Sequence, residues 1–164
     1  MQGLGKITSR ALIGLLLIAT LFTTMVSCQT ATSKDPYPRR SEAKISDFDA
    51  VTINVREGNH TTDTENITVI MENNVNFEIF YTRHFRLEIL ENDEWYAFEH
   101  AGFMDAIFSL YAKETKEVET RLMTMSGNRE LESGTYRILI YFYEDMDNPA
   151  DGRFLAAEFT IVDE

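Results

Sequence analysis

The sequence predicts an all-β domain, an antiparallel β-sandwich of seven or eight strands over residues 48–164. Short stretches with a two-residue apolar period recur, separated by turn-forming residues, and no long segment carries a helical period. The third observation is the stretch 131–145. Its second half sets Tyr136, Ile138, Ile140 and Phe142 against Arg137, Leu139, Tyr141 and Tyr143. Neither side is wholly polar, which places this strand mid-sheet with cover on both faces. In its first half, Leu131, Gly134 and Tyr136 have the spacing of a tyrosine corner, whose phenol bonds back to backbone a few residues upstream.

Residues 1–27 read as an address. A basic head with Lys6 and Arg10 precedes an uncharged apolar run over 11–26 that ends at the small Ser27, the parts of a secretory signal peptide. The run is short for a spanning helix, which needs about 20 apolar residues. Met25-Val26-Ser27-Cys28 resembles the lipobox of bacterial lipoproteins, with Met25 where leucine is usual. That resemblance implies a diacylglyceryl group on the Cys28 thiol and a protein held on the extracytoplasmic face of the cell membrane. Two or three acyl chains anchor stably where one is marginal. Residues 28–47 are polar, with Pro36 and Pro38, and are expected to form a flexible tether without secondary structure.

The strands follow in order. Val51, Ile53 and Val55 alternate in a first strand within 49–57, and Ile67, Val69 and Met71 in a second. Phe77, Ile79 and Tyr81 make a third. Residues 85–100 form a hairpin about Asn92-Asp93, a pair that tolerates the positive φ of a two-residue turn. That turn sets Leu90 opposite Trp95, Ile89 opposite Tyr96 and Leu87 opposite Phe98, so apolar meets apolar in each pair. Ala106, Phe108, Leu110 and Ala112 keep a strand period, and a helical turn near 103–107 is an alternative for part of that stretch. A further strand covers 115–124 through Val118, Thr120 and Leu122. Leu155, Ala157, Phe159 and Ile161 complete the last.

These residues resemble the bacterial Ig-like domains of small lipoproteins. The likeness spans 51–162 and rests on Ile67–Asn74 (Ile-Thr-Val-Ile-Met-Glu-Asn-Asn), on Phe85-Arg-Leu-Glu-Ile-Leu followed by Glu94-Trp95-Tyr96, on Leu131 with Gly134-Thr-Tyr136-Arg137-Ile138, and on Ala157-Glu158-Phe159-Thr160-Ile161. It implies an Ig-like (fibronectin-III-like) β-sandwich. It supplies no catalytic residues and no ligand, and a shared sandwich does not carry a shared function.

Charge and cysteine content narrow the function classes. The chain holds 15 Lys and Arg against 27 Asp and Glu, a net −12. Removing Lys6 and Arg10 with the leader leaves 13 against 27. A polyanion repels phosphate backbones, so nucleic acid is not an expected partner. Cys28 is the one cysteine; the exported domain is therefore held by its apolar core. His60, His84 and His100 fall in separate segments, and no metal or other cofactor is expected. Residues 145–152, with Asp145, Asp147, Asn148, Asp151 and Gly152, bunch oxygen ligands loosely as a calcium loop does, and equally fit an ordinary acidic turn. No Gly-x-Ser-x-Gly elbow is present, so no nucleophile stands in context.

Strand alternation turns Phe80, Tyr141, Tyr143 and Phe154 away from an inward set of Ile79, Tyr136, Ile138, Ile140, Phe159 and Ile161; the hairpin register adds Trp95 and Leu90 to the outward set. Aromatic rings are rigid, bury large areas and recur at recognition faces. The expectation is a non-enzymatic, lipid-anchored module binding an unidentified protein or glycan through that face, unless a loop or the tether covers it. An inhibitor of an exported protease, with 145–152 or 92–94 as its inserting loop, is the alternative, and a carboxylate-based hydrolase a more distant one.

Overall fold

The computed structural model describes residues 38–99 and 106–164, all within the compact unit Pro36–Glu164. The signal segment, Cys28 and residues 100–105 lie outside the described residues. Among the described residues the strands are β1 (Arg39–Arg40), β2 (Val51–Val55), β3 (His60–Thr61), β4 (Asn66–Asn73), β5 (Ile79–Thr82), β6 (Arg86–Glu91), β7 (Glu94–Ala97), β8 (Ile107–Leu110), β9 (Thr115–Arg121), β10 (Gly134–Tyr143) and β11 (Arg153–Val162). They form two sheets. The small one is β2-β4-β9, all antiparallel. The large one runs β1-β7-β6-β10-β11-β3, with β5 on the same edge of β10 as β6, and β8 beyond β5.

The central place of β10 follows from its composition. It pairs with β11 from Gly134↔Ile161 to Phe142↔Arg153, with β6 at 136–139 and with β5 at 142–143. Its Tyr136, Ile138, Ile140 and Phe142 are buried in the core with Ile79, Leu155, Ala157, Phe159 and Ile161. Ile53, Ile67, Val69, Met71 and Val118 of the small sheet belong to the same core. The sandwich is thus closed on the Tyr136 side of β10, as the alternation predicts.

The hairpin register is the expected one. Leu90 pairs with Trp95 and Ile89 with Tyr96, and the Phe98 amide donates to the Leu87 carbonyl at 3.0 Å. Asn92 and Asp93 both take positive φ, 50° and 64°, as a tight turn that follows the strand twist requires.

Three elements differ from the sequence reading. The strand begun at Thr115 stops at Arg121 and gives way to one helical turn, Leu122–Met125; residues three apart share a helix face, and this turn buries Leu122 and Met125 together. Phe77 lies before β5 and is exposed. The largest difference concerns the stretch read as an unstructured tether to Asp47. Arg39 and Arg40 pair with Ala97 and Tyr96, Ile45 bridges Phe154, and the Ser46 amide donates to the Phe154 carbonyl. Main-chain pairing with two strands decides the path of this segment, and its polar composition gives no sign of such pairing.

Candidate functional site

The small sheet covers one face of the large sheet. The opposite, outer face carries no second layer of strands among the described residues. It is crossed by the strap 39–46, which pairs with β7, passes over β6 and reaches β11. Where the strap passes β6, Ser41 Oγ donates to Glu88 Oε1 at 2.5 Å. Glu88 is fully buried, and its Oε2 accepts from Arg137 Nε at 2.8 Å and Nη2 at 2.6 Å. Glu88 and Arg137 are cross-strand partners. The Trp95 ring lies against the Arg137 guanidinium, 4.2 Å from its carbon to the ring centroid. A buried charge pair persists when geometry and extra hydrogen bonds offset desolvation, and the two-pronged Arg contact with the Ser41 bond does so here.

The expected aromatic set is brought to this face but not equally presented. Tyr141 and Phe154 are cross-strand partners with ring centroids 5.0 Å apart, and both are half-buried. Tyr143 is only 3% exposed, and its hydroxyl is buried without a hydrogen-bond partner; it is no part of an accessible surface. Burial first, then the neighbouring Tyr141, raises its pKa. Phe80 stacks on Tyr143 at 5.8 Å. Trp95 and Leu90 pair at the hairpin end, both half-buried, with Trp95 occupied by Arg137.

Beneath the strap lies a groove of about 810 Å³, lined in part by Arg39, Arg40, Lys44, Arg86, Tyr141, Arg153 and Phe154. A second hollow of about 480 Å³ shares Arg86, Tyr141 and Phe154 as walls and adds Thr82 and His84. The Arg86 guanidinium sits over the Phe154 ring at 5.5 Å. Tyr141 is fixed from the far side: its hydroxyl donates to the Pro149 carbonyl at 2.8 Å, and a Cβ on Gly152 would stand 2.5 Å from its ring. The basic residues are what sequence reasoning missed. Arg86 shares outward parity with Glu88 and Leu90, a readable signal, and Lys44 depends on the strap's path; Arg153 has the opposite, core-facing parity of Leu155, and its guanidinium lies over the Phe48 ring at 4.9 Å.

The tyrosine corner has its expected geometry. Tyr136 Oη donates to the Glu132 carbonyl at 2.7 Å, Gly134 opens β10, and Leu131 packs against the core. Burial pushes the Tyr136 pKa up to about 12, against the lowering effect of that bond. In the 145–152 loop the acids serve the turn: the Asp147 amide donates to Asp145 Oδ1, and Asn148 Nδ2 donates to Asp151 Oδ2. Among the described residues no three His, Cys, Asp or Glu side chains group as a metal site.

The sequence model of the bacterial Ig-like domain matches residues 47–159. The chain belongs to that family. No curated protein matches it in sequence. Among solved structures, this Ig-like domain is similar to the periplasmic chaperone SfaE, at 11% identity and a TM-score of 0.42, covering 70% of this chain and 57% of the chaperone. It is also similar to the ASH/PapD-like domain 7 of human CEP192, at 10% identity and a TM-score of 0.40, covering 77% and 98% respectively. The chain thus spans less than two thirds of the chaperone it matches.

Proposed function

We propose that this Ig-like domain is a non-enzymatic binding module, held on the extracytoplasmic face of the cell membrane by lipid on Cys28. It recognises a protein or glycan partner through the outer face of its large sheet. The observation that supports this is the groove on that face, which half-buried Tyr141 and Phe154 line between the strap and β6. Ring pairs of this kind give a rigid contact area at low entropic cost. The anchoring rests on the leader and lipobox pattern.

The test is crosslinked capture of partners from intact cells by the full chain and by Tyr141→Ala with Phe154→Ala, each melted in parallel. Capture is lost in the double variant while a cooperative melt persists. Undiminished capture by a folded double variant would contradict the reading. A Cys28→Ala chain is expected to lose lipid labelling and be released from the membrane; continued labelling would contradict the anchor.

A further inference from the structure

The edge of β7 is closed by three residues of the strap. The Ser41 amide donates to the Trp95 carbonyl at 2.7 Å, and Arg39 and Arg40 lie opposite Ala97 and Tyr96. Successive residues of a strand turn their main-chain groups to opposite edges, so Arg39 and Ser41 face β7 while Pro38 and Arg40 face away. The sheet therefore ends beside a proline without an N–H, an edge that resists a further strand. This cover is held lightly. No side chain from 39 to 46 is buried. The Arg39–Glu99 and Arg40–Glu94 ion pairs join solvent-facing groups, and such pairs contribute little. Segments with few buried apolar contacts open locally at a much lower free energy than the core. When this one opens, Glu88 loses the Ser41 hydroxyl but keeps Arg137 at 2.8 and 2.6 Å. Opening also removes the strap's wall of the groove beside Tyr141 and Phe154.

We propose that β1 is a displaceable stand-in, and that the partner is a protein whose own basic, extended segment takes its place on β7. This rests on the reading of the outer face as the recognition surface, and it selects a polypeptide over a glycan. The main chain of Trp95 and Ala97 supplies the pairing. Glu94 and Glu99 beside them select positive side chains, as they do with Arg40 and Arg39. The departing strap uncovers Tyr141 and Phe154 for the partner's side chains. In recognition of this kind main-chain bonds give affinity and flanking side-chain contacts give specificity. The closed strap lowers the apparent affinity by the fraction of chains that are open, so β1 sets the threshold for binding.

Titration of the full chain with the synthetic peptide (Lys-Thr)5, its fully N-methylated form of the same charge, (Glu-Thr)5 and dextran tests this. Three forms are compared, each required to melt cooperatively. They are the parent, Arg39→Pro with Ser41→Pro, which removes both amides that face β7, and Arg40→Cys with Tyr96→Cys, an opposed pair suited to a disulfide. (Lys-Thr)5 is expected to bind the parent, to bind the proline variant about tenfold more tightly, and to bind the cysteine variant only after reduction. The other three probes do not bind. Failure of (Lys-Thr)5 to bind the released chain, binding that neither release nor locking changes, or equal binding of the N-methylated peptide or dextran overturns the proposal. So does a released chain that only self-associates, since β1 would then merely guard the edge. If the proposal falls while Tyr141→Ala with Phe154→Ala still abolishes cellular capture, strand replacement is wrong and the recognition face stands.

Discussion

Tyr136 shows how a single side chain joins local turn to core. Its ring is fully buried and contacts Phe159 and Phe98, while its hydroxyl ties the approach to β10 back at Glu132. Tyr136→Phe keeps the ring and loses the bond. Because Glu132 is exposed, its carbonyl regains water, so chemical denaturation is expected to show a loss of only about 1 kcal/mol. The same residue makes stability depend on alkaline pH. A pKa raised from 10.0 to about 12 means the folded chain holds the phenolic proton more tightly than the unfolded one. That contribution is complete below pH 10 and disappears as pH rises to about 12, with Tyr81 and Tyr143, both raised by burial, adding in the same direction. Denaturation midpoints measured from pH 9 to 12 should fall, and fall less steeply in Tyr136→Phe. Gly152 is the complementary case. Its φ of −70° suits any residue, yet a Cβ there meets the Tyr141 ring at 2.5 Å and the Phe142 carbonyl at 2.7 Å. Gly152→Ala is expected to cost about 1–3 kcal/mol through overpacking against the central strand, read from its melting midpoint.

The elements were legible where a local pattern decided them. β10 and the β6–β7 hairpin could be placed with their register because alternation and a two-residue turn leave one arrangement that pairs apolar with apolar. Asn92 and Asp93 pay a small backbone strain for that turn. Asp93→Gly is expected to stabilise by up to about 1 kcal/mol, and a lower midpoint would mean the Asp93 side chain holds the turn. What was not legible depended on contacts remote in sequence. The strap reads as polar linker, and only Trp95, Glu88 and Phe154, far along the chain, turn it into a wall of the groove. Glu88 and Arg137 likewise look like outward residues of an ordinary sheet until Ser41 and Trp95 close over them. Arg137→Met leaves the buried Glu88 with only the Ser41 hydrogen bond and the more distant Arg86 at 3.7 Å, and is expected to lower stability by about 3 kcal/mol; adding Glu88→Leu restores most of it. A single variant as stable as the parent would show that the pair contributes nothing.

At the scale of the whole molecule, the two sheet faces differ in kind. The small sheet turns Thr52, Asn54, Glu117, Glu119 and Arg121 outward, a solvated polar surface, while the large sheet's outer face holds rings, ion pairs and a strap. The central claim is that recognition occurs on the strap side and nowhere else. Photo-crosslinking on intact cells, with the reactive group placed at Tyr141 in one chain and at Glu119 in another, tests this most directly. Adducts are expected from position 141 and none from 119; adducts from 119 alone would contradict it.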